Sequence, residues 1–172
     1  MDGPMKRMFS VMFGIVAFLF AIQGVAQNRR LQMHAVAFYN LENLFDTCHD
    51  EGKNDWEFLP DGTYHWTKMK YEHKLANMAR VITELATEKL PYGASIIGVS
   101  EVENSRALDD LIAQPKMKKR GYRYVHIEGP DKRGVDCALI YNPRAFQVTK
   151  AFNRDYVYEN GDTVRRTRPF CC

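Results

Sequence analysis

The chain has 172 residues, of which 45% are hydrophobic and 26% charged, and a formal net charge of +3. That length suits one ordinary domain, and no internal repeat, low-complexity tract or Gly/Ser-rich linker divides it, which excludes a repeat array or a string of tethered modules. A charge balance this close to neutral argues neither for nor against a nucleic-acid partner. At the N-terminus, Met5-Lys6-Arg7 gives a short basic start, Phe9 to Ile22 is an almost unbroken apolar run, and Gly24-Val25-Ala26 offers small residues for cleavage. This order predicts a secretory signal peptide over residues 1–26. The alternative, an uncleaved membrane anchor, asks for about 20 apolar residues, more than the run supplies. Cutting after Ala26 removes Asp2, Lys6 and Arg7 and takes the formal charge from +3 to +2. The expectation is an exported protein, periplasmic or extracellular, with no stable membrane span once the leader is gone.

Met33 to Tyr39 reads as a first strand. The polar stretch Thr47 to Tyr64, with Gly52, Asn54, Pro60 and the Asp61-Gly62 turn signal, reads as a long surface loop, and such loops in compact domains tend to carry function. Thr67 is a good N-cap for a helix running to about Lys89. Leu75, Met78, Ala79, Ile82, Leu85 and Ala86 make its apolar stripe, a core face rather than a cofactor box. Pro91-Tyr92-Gly93 ends that helix, and Ile96 to Val99 forms a short buried strand. Ser105 caps a second helix through about Gln114, with Asp109 and Asp110 near its positive end, and Pro115 stops it. Tyr122 to Ile127, Val135 to Tyr141 and Ala145 to Phe152 read as successive strands, the last two joined by a turn at Asn142-Pro143-Arg144. Asn160-Gly161 is the best hairpin signal in the chain. The order β-α-β-α-β-β-β predicts an α/β fold, a mixed sheet covered by helices on one face.

Four cysteines in an exported chain could pair, but their placement is unpromising. Cys137 falls within an apolar strand and reads as a buried small hydrophobe, Cys48 sits in a polar loop, and adjacent Cys171 and Cys172 do not suit disulfide geometry. Zinc is also unsupported: Cys48-His49 with His65 and His73 shows neither C-x-x-C nor H-x-x-x-H spacing.

Two segments agree with each other. FYNLENLFD from Phe38 to Asp46 and IIGVSEVEN from Ile96 to Asn104 each run from a hydrophobic strand into carboxylates and amides. In open α/β sheets ligands bind outside the carboxyl ends of strands, so such residues on two strands can share one site. Carboxylate and amide oxygens are the hard ligands that magnesium or manganese prefers. Glu101, emerging at a strand's end, is the leading metal ligand; Asn40 and Asn43 taken alone would pass as turn residues. Arg133 lies in a Gly-Pro-Asp-Lys-Arg-Gly loop just before a strand, where its planar fork could grip a phosphate and Gly134 would allow close backbone approach. A plain surface turn explains that loop as well. Asp136 could hold Arg133 or a ligand, Glu103 and Asn104 read as supporting or capping residues, and His126 as a packed or surface histidine. The basic groups Lys116-Lys118-Lys119-Arg120 and Arg165-Arg166-Arg168 lack the aromatic interleaving of a single-strand binder and read as solvated loops.

With GPDKRGVDCALIY from Gly129 to Tyr141 and EFLPDGTYHWTKMKYEHKLANMARVI from Glu57 to Ile82, these segments resemble the endonuclease/exonuclease/phosphatase superfamily, in particular a secreted bacterial branch. The resemblance covers nearly the whole chain after the leader. It implies a four-layer α/β sandwich, of which residues 27–172 would supply the first sheet and its helices. It also implies hydrolysis of a phosphodiester or phosphomonoester with Mg2+ or Mn2+, with Glu101 as main metal ligand, Asn40 organising metal and phosphate, Glu42 as a second acidic position, and Arg133 binding substrate. Nucleic acid, phospholipid headgroups and sugar phosphates are all candidate substrates. The family's later motifs, an active-site histidine, an Asp-x-Asn pair and a closing Asp-His pair, have no counterpart here. The expectation is therefore a domain truncated at its C-terminus, retaining no catalytic residue of the water-activating half, with negligible turnover and an apolar sheet face left open. The rival reading is a noncatalytic exported protein that binds phosphate-bearing partners; a fragment without function of its own is the third.

Overall fold

In the computed structural model, residues 31–153 are described. They build four strands, β1 (Val36–Leu44), β2 (Ile96–Val102), β3 (Arg123–His126) and β4 (Asp136–Tyr141), and three α-helices, α1 (Lys68–Glu84), α2 (Ser105–Ala113) and α3 (Pro115–Arg120), with a 3-10 turn at Trp56–Phe58. The strands form one mixed sheet in the order β1-β2-β4-β3. β1 and β2 are parallel, whereas β4 is antiparallel to both of its neighbours. The carboxyl ends of β1 and β2 therefore meet the end of β3 and the loop that enters β4. From His34 onward the described residues belong to one compact unit.

Period-two alternation decides which side chains reach the core. Ile97 and Val99 of β2, Ala138 and Ile140 of β4, and Leu41 and Leu44 of β1 are buried with Leu75, Ala79 and Ile82 of α1, Leu108 and Leu111 of α2, and Met117 of α3. Their neighbours point to the other face, where Val36 is 74% and Phe38 69% exposed. Phe38 lies across Gly98, where an added Cβ would sit 2.7 Å from its ring. Cys137 also belongs to this second face and is half-buried, not a core residue as its apolar strand suggested. Among the described residues no helix covers this second face. No helix among the described residues is long and apolar enough to cross a membrane.

Several elements differ from expectation for local reasons. Thr67 caps α1, accepting from the Lys70 N–H, but the helix ends at Glu84, because Leu85 leaves helical geometry and Ala86 adopts φ +63°. Asn104, not Ser105, caps α2, its side chain accepting from the Ala107 N–H at 3.0 Å. Pro115 does not merely stop a helix: it occupies the first turn of α3, where its missing N–H costs nothing, so Lys116 to Arg120 are helical. Ala145 to 152 form no strand. Both edges of β4 are already occupied, by β2 and β3, so a chain returning from β4 has no ladder beside it to join. The leader expected over 1–26, the hairpin expected at Asn160-Gly161 and Arg165-Arg166-Arg168 lie outside the described residues.

Candidate functional site

The two strands that carry the site break their pairing together. Asn40 pairs with Ser100 and Leu44 with Val102, so Leu41, Glu42 and Asn43 stand opposite Glu101 alone. Glu42, Asn43 and Glu101 all have positive φ, at 52°, 58° and 59°. Non-glycine residues rarely take that conformation, and clusters of them mark strained, functional backbone. A bulge re-aims side chains that a regular strand would alternate. Here it turns Glu101 toward β1: its carboxylate accepts from the Asn40 side-chain amide at 3.0 Å and from the Asn43 N–H at 3.1 Å. Asn40 in turn accepts from the Glu42 N–H at 2.7 Å. Asn40 and Glu101 are thus brought into direct contact, while Glu42 joins through its backbone and keeps its carboxylate at the exposed rim.

A second carboxylate repeats the link two residues on. The Glu103 N–H donates to the Leu44 carbonyl, and the Glu103 carboxyl accepts from the Asp46 N–H at 2.7 Å. Glu103 is only 2% exposed, and burial, with Asp46, Asp50 and Asp55 nearby, pushes its carboxyl up to about 8. Beside it Arg106 of α2 binds Asp46 at 2.8 Å and also Asp50, and Asn104 donates to both carboxylates. Burial alone would raise Asp50, but these bonds from Asn104 and Arg106 hold it below the usual carboxylate range. Glu103 and Asn104 thus take the supporting and capping roles expected of them.

Lys74 of α1 joins the site through the backbone of Glu42 and Asn43. Its ammonium donates to the carbonyls of Glu42 and Asn43, the latter at 3.2 Å, and lies 5.5 Å from the centre of the Trp66 ring. Trp66 donates its own N–H to the Phe45 carbonyl at 2.9 Å. Burial lowers the Lys74 ammonium from its ordinary value, against the opposing charges of Glu42 and Glu101. Sequence reasoning missed Lys74. The available signal was its place within the buried stripe, three residues after Tyr71 and one before Leu75, where an apolar residue is the usual occupant.

Arg133 sits at the same end of the sheet. Its guanidinium is 68% exposed and pairs with Asp131 at 2.9 Å; that bond, chiefly, and the charge of Glu101 raise it further above its ordinary value. Gly134 has φ +80°, and the Lys53 stem packs 3.3 Å from where its Cβ would be. The Asn54 N–H donates to the Lys132 carbonyl at 2.8 Å, so the 47–66 loop braces the Arg133 loop. Asp136 does not hold Arg133. Its side chain is 1% exposed and accepts from the Gly129 N–H at 2.9 Å, with His126 Nε2 at 3.2 Å, because the first residue of β4 points into the core side. His126, packed as expected, is bonded at its other nitrogen to Ser105 at 3.1 Å.

A family model described as Endonuclease/Exonuclease/phosphatase family matches residues 35–170. The chain belongs to that family. No curated protein and no solved structure matches it. Members of the endonuclease/exonuclease/phosphatase family are generally hydrolytic nucleases or phosphatases acting on phosphate esters, usually with divalent metals, and the mixed sheet with helices agrees with that fold.

Among the described residues no three His, Cys, Asp or Glu side chains gather where they could hold a metal. A hard cation such as Mg2+ asks for less: one or two carboxylates, several waters and the substrate phosphate. Among the described residues, two groups donate to the Glu101 carboxylate, which fills two of a carboxylate's roughly four acceptor sites. With the Glu42 carboxylate at the rim, the donor set fits a hydrated hard cation.

Proposed function

We propose that this chain carries the metal- and phosphate-holding groups of an exported, divalent-metal-dependent phosphoesterase. The observation that supports it best is the paired break in β1 and β2 at Asn40 to Asn43 and at Glu101. Strained backbone from two strands converges there on a single carboxylate, beside an exposed arginine that bears on the same carboxylate through its charge. Glu101 is the main metal ligand, Asn40 orients it, Glu42 offers a further oxygen through the rim, and Arg133 grips the phosphate. Bound Mg2+ or Mn2+ would neutralise charge developing on a phosphodiester or phosphomonoester.

None of these groups takes a proton from water. Of the nearby histidines, His126 is packed between Ser105 and Asp136, and His49 is engaged by buried Asp55. Binding is therefore the behaviour that the described residues account for, and it suits both a phosphoesterase site and a noncatalytic binder of phosphate-bearing partners. The basic, then apolar, then small-residue order of the N-terminus supports export, which fractionation of cells producing the tagged chain would test.

The test of function is equilibrium binding of a labelled phosphodiester and a labelled phosphomonoester with and without Mn2+. Binding should require the metal, vanish in Glu101→Ala and weaken about tenfold in Arg133→Ala, as expected for loss of a charge-assisted bond. Metal-independent binding that survives both substitutions would refute the reading.

A further inference from the structure

We propose that Lys74 is a positioning residue of the metal site: by bonding the two carbonyls of the Glu42-Asn43 turn, it holds that turn in the conformation that aims the Asn43 N–H at Glu101. This rests on the reading of Glu101 as a metal ligand. The turn has two successive residues at positive φ, Glu42 at 52° and Asn43 at 58°, a conformation that L-residues do not hold without external support. In it the Glu42 and Asn43 carbonyls point together at one place, and the Lys74 ammonium occupies that place. The same turn presents its N–H groups in the other direction: Glu42 to Asn40 at 2.7 Å and Asn43 to Glu101 at 3.1 Å. One lysine on a helix is thereby connected, through a single peptide turn, to both side chains that organise the site.

Rigid neighbours fix the lysine itself. Trp66 carries the ammonium on its ring at 5.5 Å and ties the Phe45 carbonyl with its indole N–H, so the backbone from Glu42 to Phe45 is held from one side by two side chains. Lys74 leaves α1 between buried Tyr71 and Leu75 and is itself half-buried. Groups that orient a metal ligand from behind typically change affinity 10- to 100-fold when removed.

Charge alone predicts the opposite sign. Lys74 is a cation that feels the carboxylates of Glu42 and Glu101, so if it were a bystander, deleting it would leave the site more negative and tighten Mn2+ binding. A residue that only stabilised the fold would lower the melting temperature and leave affinity unchanged. Positioning is distinguished from both because affinity falls.

The experiment is isothermal titration of Mn2+ into the purified chain, Lys74→Met, Lys74→Arg and Glu101→Ala, with hydrogen exchange of the Asn43 amide followed in metal-free protein. Lys74→Met should weaken Mn2+ about tenfold or more and abolish protection of the Asn43 amide. Lys74→Arg, which keeps a cation able to reach a carbonyl, should recover part of both. Should Lys74→Met fold too poorly to titrate, a partial loss of affinity and of Asn43 protection in Lys74→Arg carries the test, and unchanged values there overturn the proposal. If the wild type binds Mn2+ and Glu101→Ala does not, but Lys74→Met binds as well as or better than wild type, the role of Lys74 is refuted and the metal site stands. If the wild type takes up no Mn2+, both fall.

Discussion

The side-chain amide of Asn40 donates to the carboxylate of Glu101 at 3.0 Å, joining residues sixty-one positions apart. The contact exists because β1 and β2 are parallel neighbours whose carboxyl ends coincide, and because both leave regular pairing at the same level. It sets the orientation of the carboxylate before any ligand arrives, which is how a site avoids reorganising when charge is brought to it.

Replacing Asn40 by aspartate tests that contact. Asn40→Asp removes the donor and sets a second carboxylate beside Glu101. Chemical denaturation without metal should show a loss of about 1 kcal/mol, the worth of one partly exposed hydrogen bond to a charged group. Saturating Mn2+ should shrink that loss, since the added carboxylate becomes a ligand; a loss indifferent to Mn2+ would count against a cation between these residues.

Glu103 makes stability depend on pH in a direction unusual for a carboxylate. Its folded value of about 8 stands above the ordinary 4.5, so between those values the folded state binds more protons than the unfolded one. Its contribution is present below about 4.5 and lost as pH rises toward about 8. Glu103→Gln, which mimics the protonated acid and still accepts from the Asp46 N–H, should match the wild type at the acidic end of that window and exceed it at the alkaline end. Melting temperatures at the two ends decide it.

Gly62 has no room for a side chain: a Cβ there would lie 2.1 Å from the Trp56 carbonyl oxygen. Gly62→Ala should cost about 2–3 kcal/mol through forced backbone movement. Because the 47–66 loop braces the Arg133 loop at Asn54 and Lys132, the same variant should also weaken phosphate-ester retention in a binding assay.

Val36 and Phe38, exposed on the sheet face that no described helix covers, predict self-association of the chain. Val36→Lys with Phe38→Lys should raise the concentration at which light scattering begins. A monomeric wild type at high concentration would contradict this.

Much of the site's framework was legible because it follows from strand direction. Hydrophobic runs ending in Asn40 and Glu101 mark the carboxyl ends of two strands, and the structure joins those ends. Thr67, the α1 stripe and the four described strands also follow from capping and periodicity. What could not be read are the groups whose partners are backbone atoms far away in sequence: Lys74 on the Glu42 and Asn43 carbonyls, and Glu103 on the Asp46 N–H. Composition says nothing about such pairs. Asp131 rather than Asp136 holds Arg133 because loop geometry, not strand register, sets that pair. The false strand over 145–152 has the right residues, but β4, which it follows, is already flanked by β2 and β3, a property of sheet order that local pattern does not contain.

The most direct measurement is electron paramagnetic resonance of Mn2+ titrated into the purified chain beside Glu101→Ala. If Glu101 is the main metal ligand, the free-ion signal is lost saturably in the wild type and not in the variant over the same range. Equal uptake by the two proteins, or no uptake by either, would contradict it.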